Sequence, residues 1–145
     1  MKRPSSRARI VLTVLVVMLQ AIACSKQGGA EEPSVIVVLV EPRSNDLGYY
    51  FSLSGKELRT TGSLLDELAQ RFPQDERLAV LLNGDVPVRA IEHVEAAASK
   101  VGFKASNIKF FVFFDDRKAM RELSLPGSEH IPFSSDPVAV GRLFR

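Results

Sequence analysis

Three apolar runs, residues 35–40, 78–82 and 108–114, constrain the fold more than any other feature of this chain. Each is almost free of polar residues and reads as a strand, and the unbroken runs at 35–40 and 108–114 imply burial on both faces. Between them lie two segments with helical spacing. Leu64, Leu65, Leu68 and Phe72 form one apolar stripe. Gly62-Ser63 opens that helix, with Ser63 as its cap and Asp66 three residues on, and Pro73 stops it. Val88, Ile91, Val94, Ala98 and Val101 recur every three or four residues and predict a second helix over residues 87–100. Pro87 suits its first turn, where no N–H is needed, and Gly102 suits its C-cap. Arg89, Glu92, Ser99 and Lys100 fall on its outer side.

Residues 49–53 add a strand that Ser54-Gly55 closes, while Pro42 and Asn45-Asp46 mark a turn before it. Strand, helix, strand, helix, strand spells a βαβαβ unit with right-handed crossovers. The expected fold is α/β: a small two-layer sandwich, a mixed sheet of four to five strands with two main helices on one face. Beyond residue 114 the pattern weakens. Residues 117–123 suit a short helix, Pro126-Gly127 breaks it, and residues 138–144 suit an edge strand or a helix.

The N-terminus carries a different message. Lys2, Arg3, Arg7 and Arg9 precede an apolar run over residues 10–19, which ends in Ala21-Ile22-Ala23-Cys24. A basic head, a short apolar stretch and small residues at a cut site have the layout of a secretory signal. Cleavage between Ala23 and Cys24 would leave the chain's one cysteine as a lipidated N-terminus, as in a bacterial lipoprotein. The alternative is an uncleaved signal anchor, although residues 10–23 fall short of the roughly 20 apolar residues that a spanning helix needs. Ser25 after the cysteine is compatible with outer-membrane sorting. The localisation expected is the periplasmic side of a bacterial cell envelope, lipid-anchored at Cys24 or held in the inner membrane by a single pass.

Charge follows the same division. Four of the 19 Lys and Arg residues lie in positions 1–9, leaving 15 against 17 acidic residues in the rest. The basic pI belongs to the targeting segment and gives no argument for nucleic acid. A single cysteine also excludes an intrachain disulfide. The chain divides into a signal or anchor (1–23), a linker with Gly28-Gly29 and Glu31-Glu32 (24–33), a domain (34–114) and a C-terminal extension (115–145).

No motif calls for catalysis, a metal or a cofactor. His93 lacks the spacing of a metal pair and reads as part of a solvated helix face, and His130 has no acidic partner in a regular element. Asp115-Asp116 ends a strand where α/β enzymes often place acids, but a helix N-cap for the residues from Arg117 explains the pair better. The turns at Ser54-Gly55 and Asn83-Gly84 lack the lysine of a phosphate loop, and Ser128, Ser134 and Ser135 lack a nucleophile elbow. The most informative surface candidate is the strand Phe110, Phe111, Val112, Phe113 and Phe114. Helices on one side would cover only one of its faces, leaving the other to residues 131–144 or to a second copy.

The order of pieces from residue 49 to 114, about 65 of 145 residues, resembles the periplasmic domain of the ExbD/TolR biopolymer-transport proteins. The residues that carry the resemblance are Tyr49, Phe51 and Leu53 with Gly55, then Leu64-Leu65-Asp66-Glu67-Leu68 and Ala79-Val80-Leu81-Leu82. They continue in the turn Asp85-Val86-Pro87, the helix over 91–98, and Val101-Gly102-Phe103. The resemblance implies a non-enzymatic subunit of an ion-driven envelope motor whose domain forms a homodimer. Its implied partners are an ExbB/TolQ-like membrane subunit, a TonB/TolA-like protein and, in one branch, peptidoglycan. Two departures stand out. Residues 10–24 hold no Asp or Glu, so the family's membrane carboxylate is missing, and Asn83 stands where the family usually has an aspartate. Both favour a domain that keeps the fold without proton coupling; a lipoprotein adaptor or structural binding module is the second reading.

Overall fold

A computed structural model describes residues 35–72, 75, 77–124 and 127–144, which form a mixed sheet of seven strands with helices on both of its faces. The centre of that sheet is built from the three apolar runs. Strand β1 (Ile36–Pro42) lies parallel to β4 (Leu78–Asn83), with Ile36 opposite Leu78, and β4 lies parallel to β5 (Ile108–Phe113), with Leu78 opposite Ile108. All six residues of β4 are buried, as expected for the middle strand of a doubly covered sheet.

Antiparallel strands extend both sides of this core. β2 (Tyr49–Leu53) pairs with β1, and β3 (Lys56–Leu58) folds back on β2. Ser54-Gly55 therefore connects a hairpin rather than closing an isolated strand. Both residues have positive φ, 51° and 78°, which suits the two-residue turn between Leu53 and its partner Lys56. On the other side β6 (Ala119–Glu122) pairs with β5, and β7 (Ile131–Pro132) pairs with β6. The strand order is β3-β2-β1-β4-β5-β6-β7.

The described residues thus form seven strands where four or five were expected, and β6 replaces the helix expected over residues 117–123. Ala119, Met120, Arg121 and Glu122 are helix formers by propensity. The open edge of β5 offers them a ladder, and tertiary pairing overrides that preference. Without a helix there, Asp115-Asp116 caps nothing; Asp116 Oδ1 accepts the Lys118 N–H at 3.2 Å and shapes the hairpin turn.

Helix α1 (Thr61–Arg71) and helix α2 (Arg89–Val101) pack on each other and on one face of the sheet. Leu64 and Leu68 of α1 are buried against Val38, Val40, Phe51 and Leu53, and Leu65 and Phe72 pack partly into the same core. Thr60, not Ser63, is the N-cap: its Oγ1 accepts the Ser63 N–H at 3.0 Å. The helix ends at Arg71, and Pro73 lies outside the described residues. In α2 the buried residues are Ala90, Val94, Ala97 and Ala98, while Val88 is 74% exposed. Val88 is therefore not on the inner stripe. At 100° per residue it lies 120° from Val94, beyond the edge of that stripe. Gly102 is the C-cap with φ 119°, and the N–H groups of Gly102 and Phe103 both reach the Ala98 carbonyl.

The opposite face has its own core of Val35, Val37, Ala79, Leu81, Phe111, Phe113 and Met120. The chain's last residues close it. Helix α3 (Pro137–Gly141), capped by Asp136, buries Val140 there, and Phe133, Leu143 and Phe144 pack around it. The two main helices share one face, as expected, and a short third helix lies on the other. The segment after residue 114 is continuous with the domain, since two of its strands join the sheet and its helix covers the second face.

Candidate functional site

Asn83 ends the central strand and is the one buried polar side chain among the described residues. Its Nδ2 donates to Asp115 Oδ1 at 2.8 Å, and its Oδ1 accepts the Asp85 N–H at 3.0 Å. Its carbonyl takes the Val86 N–H, and Gly84 donates to the Phe113 carbonyl at 2.8 Å. The turn of Asn83, Asp85, Val86 and Pro87 is thereby pinned to the exit of β5, and α2 starts from it in a fixed direction. An amide suits this position because it must donate to a carboxylate and accept from a backbone N–H at the same time. Asp85, Asp115 and Asp116 are exposed around it. The ends of parallel strands are where α/β sheets present binding groups.

His93 is not on a solvated face. It is half-buried on α2, and its Nδ1 is hydrogen-bonded to the Tyr49 hydroxyl of β2. Burial pushes the Tyr49 phenol above its ordinary value, and the nearby Arg89 charge opposes that rise. Arg89 itself donates to the Leu47 carbonyl, tying α2 to the loop before β2. His130 is exposed just before β7.

On the second face, beside the area that α3 covers, a polar network links distant residues. Arg117, held at φ 47°, places its guanidinium against the rings of Phe113 and Phe133 and pairs with Glu41. Glu41 also accepts the Tyr50 hydroxyl at 2.6 Å, and this bond to a carboxylate is the main reason the Tyr50 phenol is raised. Arg43 lies over the Tyr50 ring and pairs with Glu57, which also holds Arg59. Hydrogen bonds from Arg59 and Arg43 hold the Glu57 carboxyl below the usual carboxylate range. Glu57 and Arg59 are near neighbours in the chain, but Arg117 and Glu41 are 76 residues apart and Arg43 and Glu57 are 14 apart, so sequence patterns carry no signal for the network as a whole.

The apolar strand divides by face. Phe111 and Phe113 point to the second face and are fully buried under the C-terminal segment. Phe110 and Val112 lie on the side of α1 and α2 and are only partly covered. Phe114 is 56% exposed and its ring lies over Gly84, where an added Cβ would come within 2.9 Å of it. A hollow of about 460 Å³ beside α2 is lined by Glu95, Ser99, Phe103, Ile108, Phe110 and Ser124.

Ala23 and Cys24, the expected cleavage and lipidation positions, lie outside the described residues. Among the described residues no helix is long and apolar enough to cross a membrane. No protein-family model, no curated protein and no solved structure matches this chain.

Proposed function

We propose that this chain is a non-enzymatic, membrane-tethered subunit of an envelope biopolymer-transport system, similar to the ExbD/TolR proteins, and that it acts through an exported domain that dimerises. One observation carries the reading. The pieces of the resemblance occur in order within one folded unit, from β2 and Gly55 through α1, β4, the turn at Asp85-Val86-Pro87 and α2 to Gly102-Phe103. That unit follows a segment with the layout of a secretory signal. An ExbB/TolQ-like membrane subunit, a TonB/TolA-like protein and peptidoglycan are the partners that follow from it.

The missing carboxylate in residues 10–24 favours one alternative. In it the chain is a lipoprotein adaptor or binding module, anchored at Cys24 and independent of any proton-driven motor. Intact mass of the membrane-extracted protein, beside Cys24→Ala, separates the two. A full-length, unmodified mass supports the motor-associated subunit. A mass lacking residues 1–23 and carrying acyl chains, abolished by Cys24→Ala, overturns it in favour of the adaptor.

A further inference from the structure

Exposed apolar side chains are concentrated on one part of this molecule. Four large ones stand out among the described residues: Val88 at 74%, Phe114 at 56%, Leu123 at 41% and Val138 at 40%. The first three belong to one surface. Phe114 continues the alternation of Phe110 and Val112, so it shares their side of β5. Leu123 donates its N–H to the Phe110 carbonyl at 2.9 Å, one step beyond the pair of Phe111 with Glu122, which puts it on that side too. Val88 stands at the start of α2 on the same stripe as Glu92, Glu95 and Ser99, the stripe that walls this part of the sheet. Single exposed apolar residues are ordinary, but a contiguous group marks a contact surface.

The shape of the surface is a step. The residues of α2 form a ridge over β1 and β4, whereas β5 and β6 extend beyond it as a shelf on which Ile108, Phe110 and Val112 stay partly open. The charges along the step are of opposite sign. Glu92 and Glu95 are exposed on the ridge, Arg121 is exposed on β6 opposite Val112, and none of the three forms an ion pair among the described residues.

We propose that a second copy of this chain docks here, ridge on shelf, about a two-fold axis through the hollow beside α2. Such an axis reverses the direction from ridge to shelf, so each α2 lies over its mate's β5–β6 shelf. Each acidic ridge then meets the Arg121 of the other copy, and the same contact forms twice. Glu92 and Glu95 on the ridge and Arg121 on the shelf of one chain are complementary to their own copies under that operation, which is what selects a second copy over an unrelated partner. Docking would cover Val88, Phe114 and Leu123. The proposal rests on the reading of this chain as a dimerising subunit and names the surface that it uses.

The test uses the full-length protein in detergent, with its association measured by sedimentation. The wild type forms a dimer, Arg121→Glu and Glu95→Arg each weaken it by about tenfold or more, and the two reversals together restore it. In a Cys24→Ala background, Glu95→Cys mixed with Arg121→Cys gives a disulfide-linked dimer, while neither alone does. A monomeric wild type overturns the proposal, as does a dimer that both single reversals leave unchanged. Crosslinks from these positions to a different protein also overturn it. The mass measurement stands apart: a lipidated chain that dimerises through this step would sink the motor reading and leave this surface intact.

Discussion

Single residues show how local geometry limits substitution in this domain. Gly102 holds φ 119° at the end of α2, and a Cβ there would meet the Phe72 ring at 3.3 Å. A left-handed conformation costs an L-residue roughly 1–2 kcal/mol, and a β-branched side chain adds the clash with Phe72. Gly102→Val is expected to lose about 2–3 kcal/mol in urea unfolding; an unchanged midpoint would show that the helix does not end there. The tyrosines give a second residue-scale test. The chain has two tyrosines and no tryptophan, so phenolate absorbance reports both side chains in full. Both folded values lie above the ordinary 10.0, so their contribution to stability is complete below pH 10.0 and is lost as pH rises through the raised values. Titration should show both steps above 10.0. Glu41→Gln should bring the Tyr50 step down towards 10.0 while leaving Tyr49 in place, because it removes the carboxylate that accepts the Tyr50 proton. Gly102 was legible from its position after an apolar helical stripe. The Glu41–Tyr50–Arg117 network was not, since Arg117 lies 76 residues from Glu41 and meets it only through the register of the sheet.

At the level of elements, legibility followed apolar density. The continuous runs announced β1, β4 and β5, and the period of three to four announced α1 and α2. β3 is only Lys-Glu-Leu, β6 is made of helix formers and β7 contains a proline, so each owes its strand to the neighbour it pairs with. These short, charged or proline-bearing strands also sit at or near the sheet's two ends, where a long apolar edge would invite pairing with other chains. α3 is five residues long and could not persist alone. It holds because Val140 is fully buried among Val35, Val37, Ala79 and Leu81, a contribution of about 1.5–3 kcal/mol from that side chain. Val140→Asp is therefore expected to release the C-terminal segment, cost about 3 kcal/mol or more, and open residues 127–136 to protease. Val138→Asp, on the exposed side of the same helix, should stay within about 0.5 kcal/mol of wild type in the same assay.

For the molecule as a whole, the sequence left the second face to residues 131–144 or to a second copy, and the chain's own C-terminal segment covers much of it, while α1 and α2 cover the first. That explains why the unbroken hydrophobicity of residues 110–114 divides between a finished core at Phe111 and Phe113 and an open shelf at Phe110, Val112 and Phe114. Amino-acid type alone could not make that division, because alternation is invisible when both faces are apolar. The position of β1 has a further consequence. It is the first strand after residue 34, yet it lies inside the sheet, bonded to β2 on one side and β4 on the other. Tension applied through the N-terminal segment would run along β1, across the direction of its hydrogen bonds, and would load both ladders in shear. An edge strand peels open one bond at a time, whereas β1 must slip against two neighbours together. If the chain is tied at its N-terminus, as proposed, the strand that first takes the load is one held on both sides.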